Sequence, residues 1–146
     1  LLGLSEFRRD ALACALHAYY VSRAYPHAEI SFSCPRLRPA AGAVTPNGPH
    51  MSEAQLLQVI CAYRLFMPFA GVTVSSRESA RFRDHVATIT ATKVSAGVST
   101  GIGEHAHQAE EGDDQFEIED SRSLAEMCAA MRDMGLEPVM NDHVLV

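Results

Sequence analysis

Three short segments of this chain alternate an apolar residue with a small polar one, and helix-like stretches lie between them. They are residues 29–34 (EISFSC), 71–76 (GVTVSS) and 93–99 (KVSAGVS). Successive side chains of a strand point to opposite faces. Ile30 and Phe32 therefore oppose Ser31 and Ser33, and Val72 and Val74 oppose Thr73, Ser75 and Arg77. In the third segment Val94, Ala96 and Val98 oppose Ser95, Gly97 and Ser99. Each strand has one apolar face and one small, polar face. Central strands of an open sheet covered by helices on both sides are apolar on both faces. The pattern here calls for helices on one face and a polar cavity on the other.

The stretches between the strands read as helices. Residues 5–25 carry Phe7, Ala11, Cys14, Ala15, Ala18 and Tyr19 at three- and four-residue spacing, with Ser5 as the expected cap and Pro26 as the stop. Ser52 and Gln55 form a capping box ahead of the stripe Leu56, Val59, Ile60 and Tyr63, which ends at Met67-Pro68. A short helix is expected over residues 79–86. A second capping box, Ser123 and Glu126, starts a helix with Leu124, Met127, Cys128 and Met131 on one side and Gly135 at its end. Residues 35–51 and 100–121 read as loops, and 137–140 as a short extended tail. Strands alternating with helices predict a parallel sheet with right-handed connections. An ordinary barrel fills its interior with Val, Ile and Leu. The small polar lining predicts part of a (β/α) barrel with a roomy interior.

The length of 146 residues and the 47% apolar content suit one globular domain. No run is long and apolar enough to cross a bilayer, and the start, LLGLSEFRRD, is not a signal peptide. Leu1-Leu2-Gly3-Leu4, without an initiator Met, reads as the end of an apolar element and predicts that the chain is a piece of a larger protein. A formal charge of −6 argues against general nucleic-acid binding. Eight of the 18 carboxylates fall between Glu104 and Asp120, the pattern of a solvated loop. Cys14, Cys34, Cys61 and Cys128 have no CxxC or CxxxC spacing, so the chain alone builds no zinc or iron–sulfur cradle. Each is expected to be a reduced, small core residue in a cytoplasmic protein.

Ligands of parallel α/β folds bind at the C-terminal ends of the strands. Pro35–Pro39, Ser75–Glu78 and Ser99–Gly103 occupy that rim. Arg77 shares the polar parity of Thr73 and Ser75. Its guanidinium can fork onto a carboxylate, with a serine hydroxyl supplying a further hydrogen bond. The alternative is an ion pair with a nearby acid such as Glu78. Pro35 and Pro39 stiffen the backbone around Arg36 and Arg38. These cations either contact an anionic cofactor or substrate, or pair with a rim acid. Gly101-Ile102-Gly103 is a weak phosphate signal with no helix directly after it. His105 and His107 read as an exposed pair rather than metal ligands. Met127, Met131 and Met134 read as core, and nothing resembles a nucleophile elbow. No catalytic and no metal-binding residue is assigned.

ISFSCPRLRPAAG, ICAYRLFMPFAGVTVSSRES, KVSAGVSTGIGEH and GDDQFEIEDSRSLAEM…GLEPV together resemble the C-terminal part of the 2-iminoacetate synthases. These are the tyrosine lyases of thiamine biosynthesis within the radical S-adenosylmethionine superfamily. The resemblance runs through nearly the whole chain. It implies the second half of a (β/α) barrel over residues 1–100 and a small C-terminal extension over 101–146, of the kind shared with biotin synthase. In that half the three strands would be the sixth to eighth, and Leu1–Leu4 the end of the fifth. The implied reaction uses a 4Fe-4S cluster and S-adenosylmethionine to make an adenosyl radical, and splits tyrosine into p-cresol and 2-iminoacetate. The cluster-binding CxxxCxxC motif is absent here, so the chain alone should be inactive. By resemblance Arg77 and Ser75 match the segment for the tyrosine carboxylate, and Arg36 and Arg38 the rim near cofactor and substrate. Thiazole synthase is the implied protein partner. Two alternatives stand beside this reading: the tyrosine lyase of iron-iron hydrogenase maturation, which carries a cysteine-bearing tail not found here, and a non-catalytic stand-alone half-barrel that binds a partner.

Overall fold

A computed structural model describes residues 1–37, 50–98 and 118–140. The elements are α1 (Phe7–Ala24), β1 (Ser31–Ser33), α2 (Glu53–Phe66), β2 (Gly71–Val74), α3 (Ala80–Ile89), β3 (Lys93–Val94) and α4 (Leu124–Asp133). The alternation expected from the sequence is the one observed. The three strands are parallel in the order β1-β2-β3. Ser31 stands beside Gly71, Phe32 beside Val72, Ser33 beside Thr73, and Val74 beside Val94. The register sets Phe32 and Val94 beside the apolar Val72 and Val74 and Ser33 beside Thr73, while Ser31 meets a glycine and Thr73 also stands beside Lys93.

Leu2 extends this wall. Its N–H donates to the Pro35 carbonyl (2.8 Å) and its carbonyl accepts from Leu37 N–H (2.7 Å), a parallel bridge beside the exit of β1. The expectation that Leu1–Leu4 ends a strand next to β1 agrees with that pairing.

The apolar strand faces carry the core. Phe32, Val72 and Val74 are buried against Leu56, Val59, Ile60 and Tyr63 of α2 and against Phe82 and Val86 of α3. The α2 stripe is the one read from the sequence. Phe32 stacks on the Tyr63 ring with centroids 4.2 Å apart, and the Tyr63 hydroxyl donates to the Ala11 carbonyl on α1 (3.1 Å). α1 buries only Ala11, Ala15 and Ala18, small side chains that bring its backbone close. On the other sheet face Ser31 and Ser33 are exposed, and Thr73 and Ser75 half-buried. The parity argument holds for β1 and β2.

Both capping boxes form, with Ser52 Oγ accepting from Gln55 N–H and Ser123 Oγ from Glu126 N–H. Gly135 takes the left-handed conformation (φ 79°) that closes α4. Five expectations need correction. Glu6, not Ser5, caps α1: its longer carboxylate reaches the N–H groups of Arg8 and Arg9, while the Ser5 hydroxyl turns to Asp10. α3 continues to Ile89, because no proline or glycine follows Val86. β3 stops at Val94, short of Ser99: Gly97 turns the chain with φ 59° and its N–H goes to the Arg122 carbonyl. Of the cysteines only Cys128 is buried; Cys34 and Cys61 are half-buried and Cys14 is exposed. Residues 137–140 form no strand.

Candidate functional site

The strand exits gather charge. Arg36 follows β1 and is buried, and Glu78 follows β2 at 2% exposure. Arg36 Nε lies 2.9 Å from both Glu78 carboxylate oxygens, and Nη2 donates to Oε2 at 2.6 Å. Nη1 donates to the Met51 carbonyl (2.8 Å). The hydrogen bonds to Glu78 raise the Arg36 pKa above the ordinary arginine value against the opposing effect of burial. Glu53 stands 3.9 Å from the same guanidinium and accepts from Ser79 Oγ (3.0 Å), the hydroxyl that also caps α3. Rim acid and rim base thus tie the exits of β1 and β2 to the starts of α2 and α3. Of the two readings of Arg36, pairing with a rim acid is the contact formed.

Arg77 sits between Ser76 and Glu78 and is half-buried. Its N–H donates to Ser75 Oγ (3.2 Å), which brings these two predicted residues together. Glu78, named from the sequence as a possible partner of Arg77, gives its carboxylate to Arg36 instead. Arg38, His105, His107 and the Gly101–Gly103 stretch lie outside the described residues.

A second cluster escaped sequence reasoning. Arg83 is fully buried on the inner side of α3, between Phe82 and Val86. Its Nη1 donates to Asp120 Oδ2 (2.5 Å) and its Nη2 to the Ser95 carbonyl. Asp120 also accepts from Arg122 Nε (2.9 Å), Nη2 (2.7 Å) and N–H (3.2 Å), and Arg122 reaches Asp84 on α3 (2.7 Å). Burial would push the Asp120 carboxyl up. The hydrogen bonds from Arg122 and the charge of Arg83 overcome it and hold the carboxyl at about 2. The backbone N–H groups of Glu119 and Asp120 both donate to the Ser76 carbonyl (3.2 and 3.0 Å). The end of the acidic run is thereby docked on the residue just before Arg77, so Asp120 is not part of a solvated loop. The available signal was a charge in the apolar stripe of α3, since a buried guanidinium demands an acid.

A cavity of about 250 Å³ opens beside β1, lined by Leu1, Leu2, Asp10, Ala13, Cys14, Ser33, Cys34 and Tyr63. Burial, with Cys14 nearby, pushes the Cys34 thiol up to about 12. Burial likewise raises the Tyr63 phenol, helped by Cys14. A thiol so held is no thiolate ligand. Among the described residues no group of three or more His, Cys, Asp or Glu side chains could hold a metal. The side chains present do not fit an iron–sulfur cluster, and no chemical step of this chain is derived through one. Among the same residues no helix is long and apolar enough to cross a membrane.

Known proteins share this architecture. The chain is 39% identical over 143 residues to a 2-iminoacetate synthase of Salmonella typhimurium and 38% identical over 143 residues to one of Escherichia coli. Each alignment takes in 97% of the chain and 37% of the relative, so the chain spans little more than a third of the length of these curated relatives. A crystal structure of HydG, a maturase of the FeFe-hydrogenase, superposes with a TM-score of 0.84 at 29% identity, over 97% of this chain and 31% of that one. HydG from Carboxydothermus hydrogenoformans gives 0.79 at 29% identity, over 92% and 30%. The Biotin and Thiamin Synthesis associated domain matches residues 33–137, from the last residue of β1 to beyond α4. With well over half of its residues matched, the chain belongs to the Biotin and Thiamin Synthesis associated domain family.

Proposed function

We propose that this chain supplies the substrate-carboxylate side of a tyrosine lyase of the 2-iminoacetate synthase kind. The observation that carries the reading is the 39% identity over 97% of the chain to a protein of that name. The rim supports it. Arg77 and Ser75 lie in the turn at the exit of β2, joined by the Arg77 N–H to Ser75 Oγ bond, and a guanidinium and a hydroxyl there suit an amino-acid carboxylate. The hydroxyls of Ser33, Thr73 and Ser75 leave room beside that contact and give it polar company. Arg38 is retained as a further rim contact. In the whole enzyme S-adenosylmethionine and a 4Fe-4S cluster supply the radical, with the cluster ligands outside the described residues. A cytoplasmic location and a thiazole synthase partner belong to the same reading.

The hydrogenase-maturation reading has the HydG superposition in its favour. Its 29% identity against 39% makes it the second choice. The test is the whole protein, carrying the sequence upstream of Leu1, reconstituted with its cluster and given tyrosine, S-adenosylmethionine and a one-electron reductant such as dithionite. It should release p-cresol and 2-iminoacetate, the latter trapped as glyoxylate. A cluster-replete protein that makes no p-cresol overturns the proposal.

A further inference from the structure

We infer that Arg36 and Glu78 are positioning residues that aim Arg77 at the substrate carboxylate, an inference that rests on the carboxylate-binding reading above. Arg77 is fixed from both sides. Before it, Ser76 is 5% exposed and its carbonyl takes the N–H groups of Glu119 and Asp120. After it, Glu78 is 2% exposed and its carboxylate is gripped by Arg36 through Nε and Nη2. A turn closes the stretch, with Glu78 N–H donating to the Ser75 carbonyl (3.2 Å) and Arg77 N–H to Ser75 Oγ (3.2 Å). The backbone carrying Arg77 therefore has neighbours tied to β1, to α2 through Met51, and to the segment before α4.

Such ties matter for a guanidinium. Its fork delivers two parallel hydrogen bonds only when its plane meets the carboxylate squarely. A small misplacement costs more affinity than the loss of a diffuse charge would. Arg36 is itself anchored: Nη1 donates to the Met51 carbonyl (2.8 Å) while Nε and Nη2 hold Glu78. A lysine at this place keeps the charge but not the fork, and should let the Ser75–Glu78 turn shift.

The experiment uses the whole, cluster-replete protein and two ligands. One is L-tyrosine; the other is tyramine, which keeps the phenol and the amine but has no carboxylate. Arg36→Lys, Glu78→Gln and the apolar double replacement Arg36→Met with Glu78→Met are compared with Arg77→Ala. The double replacement removes both charges together and guards against loss of fold. The dissociation constant of tyrosine should rise by roughly tenfold to a hundredfold in all four, the effect of one lost charge-assisted contact. That of tyramine should stay within about twofold of the parent, since no carboxylate is there to be aimed at. If Arg77→Ala weakens tyrosine but the Arg36 and Glu78 variants bind it normally, the positioning role is overturned. If tyrosine and tyramine weaken in parallel, the pair only supports the fold and the inference is again overturned. An unchanged tyrosine affinity in Arg77→Ala refutes the carboxylate reading itself, a result separate from the other two.

Discussion

Replacing Asp120 by Asn tests the buried cluster more directly than any other single change. The carboxylate is 4% exposed and accepts hydrogen bonds from Arg83 and Arg122. Arg83 has no exposed surface, and without the Asp120 charge only the Ser95 carbonyl and a neutral amide face it. Removing one member of a buried pair costs about 3–5 kcal/mol. An Asn oxygen can still accept one bond, so about 3 kcal/mol is expected near neutral pH. The pH dependence has a fixed sign. A carboxyl held at about 2 rather than the ordinary 3.8 contributes about 2 kcal/mol, fully present above the unfolded-state value. That contribution disappears as the pH falls through the lower value. Urea unfolding of the parent and of Asp120→Asn, repeated from about pH 7 down to about pH 2, reads both effects. The gap between the two proteins should narrow by about 2 kcal/mol over the acid part of that range. A gap under about 1 kcal/mol at neutral pH, the size of a surface change, refutes the reasoning. So does a gap that stays constant on acidification. Replacing Arg83 by Met together with Asp120 by Leu should cost less than either single change, because no charge is left stranded.

Other outcomes follow from packing and burial. A Cβ added at Gly71 would lie 2.8 Å from Ser31 Oγ and 3.2 Å from Ser31 Cβ. Gly71→Ala should therefore destabilise by about 1–3 kcal/mol, with much of the loss recovered in the Ser31→Gly background; a neutral Gly71→Ala refutes the close approach. Cys34, with its thiol pushed up to about 12, should resist iodoacetamide at mildly alkaline pH in the folded protein and react once urea is added. Mass spectrometry that finds Cys34 labelled as fast as exposed Cys14 contradicts the raised thiol. Phe32→Ala removes the ring stacked on Tyr63 and should cost about 3–5 kcal/mol in urea unfolding, against well under 1 for Ser33→Ala on the other face.

What the sequence disclosed was what neighbours along the chain decide. The two capping boxes rest on residues three apart, Ser52 with Gln55 and Ser123 with Glu126, and both form. The α2 stripe and the alternation in β1 and β2 are periodic patterns within one element, and they placed the core correctly. The partner of each buried arginine was not legible in that way. Arg36 meets Glu78 across 42 positions and Arg83 meets Asp120 across 37, so no spacing rule links them. The proline frame identified Arg36 as held in place; only the fold shows that Glu78 and Met51 do the holding. β3 was overread because Val94, Ala96 and Val98 keep the right period, whereas Gly97 ends the strand through a contact with distant Arg122. Glu6 displaced Ser5 as a cap because both can accept hydrogen bonds and reach decided between them.

The hydroxyl-lined side of the sheet has a bearing on redesign. Ser33 and Thr73 are small side chains on the face opposite Phe32, Val72 and Val74, whereas Ser31 lies close against Gly71 and Ser75 Oγ takes the Arg77 N–H. If this face lines the proposed substrate site, ligand size is a quantity the Ser33 and Thr73 positions can subtract from, while the scaffold that holds the sheet remains untouched. On the proposed reading, substrate scope and stability are written on opposite sides of the same strands, so a library of bulkier residues at Ser33 and Thr73 would explore narrower ligands without drawing on the core.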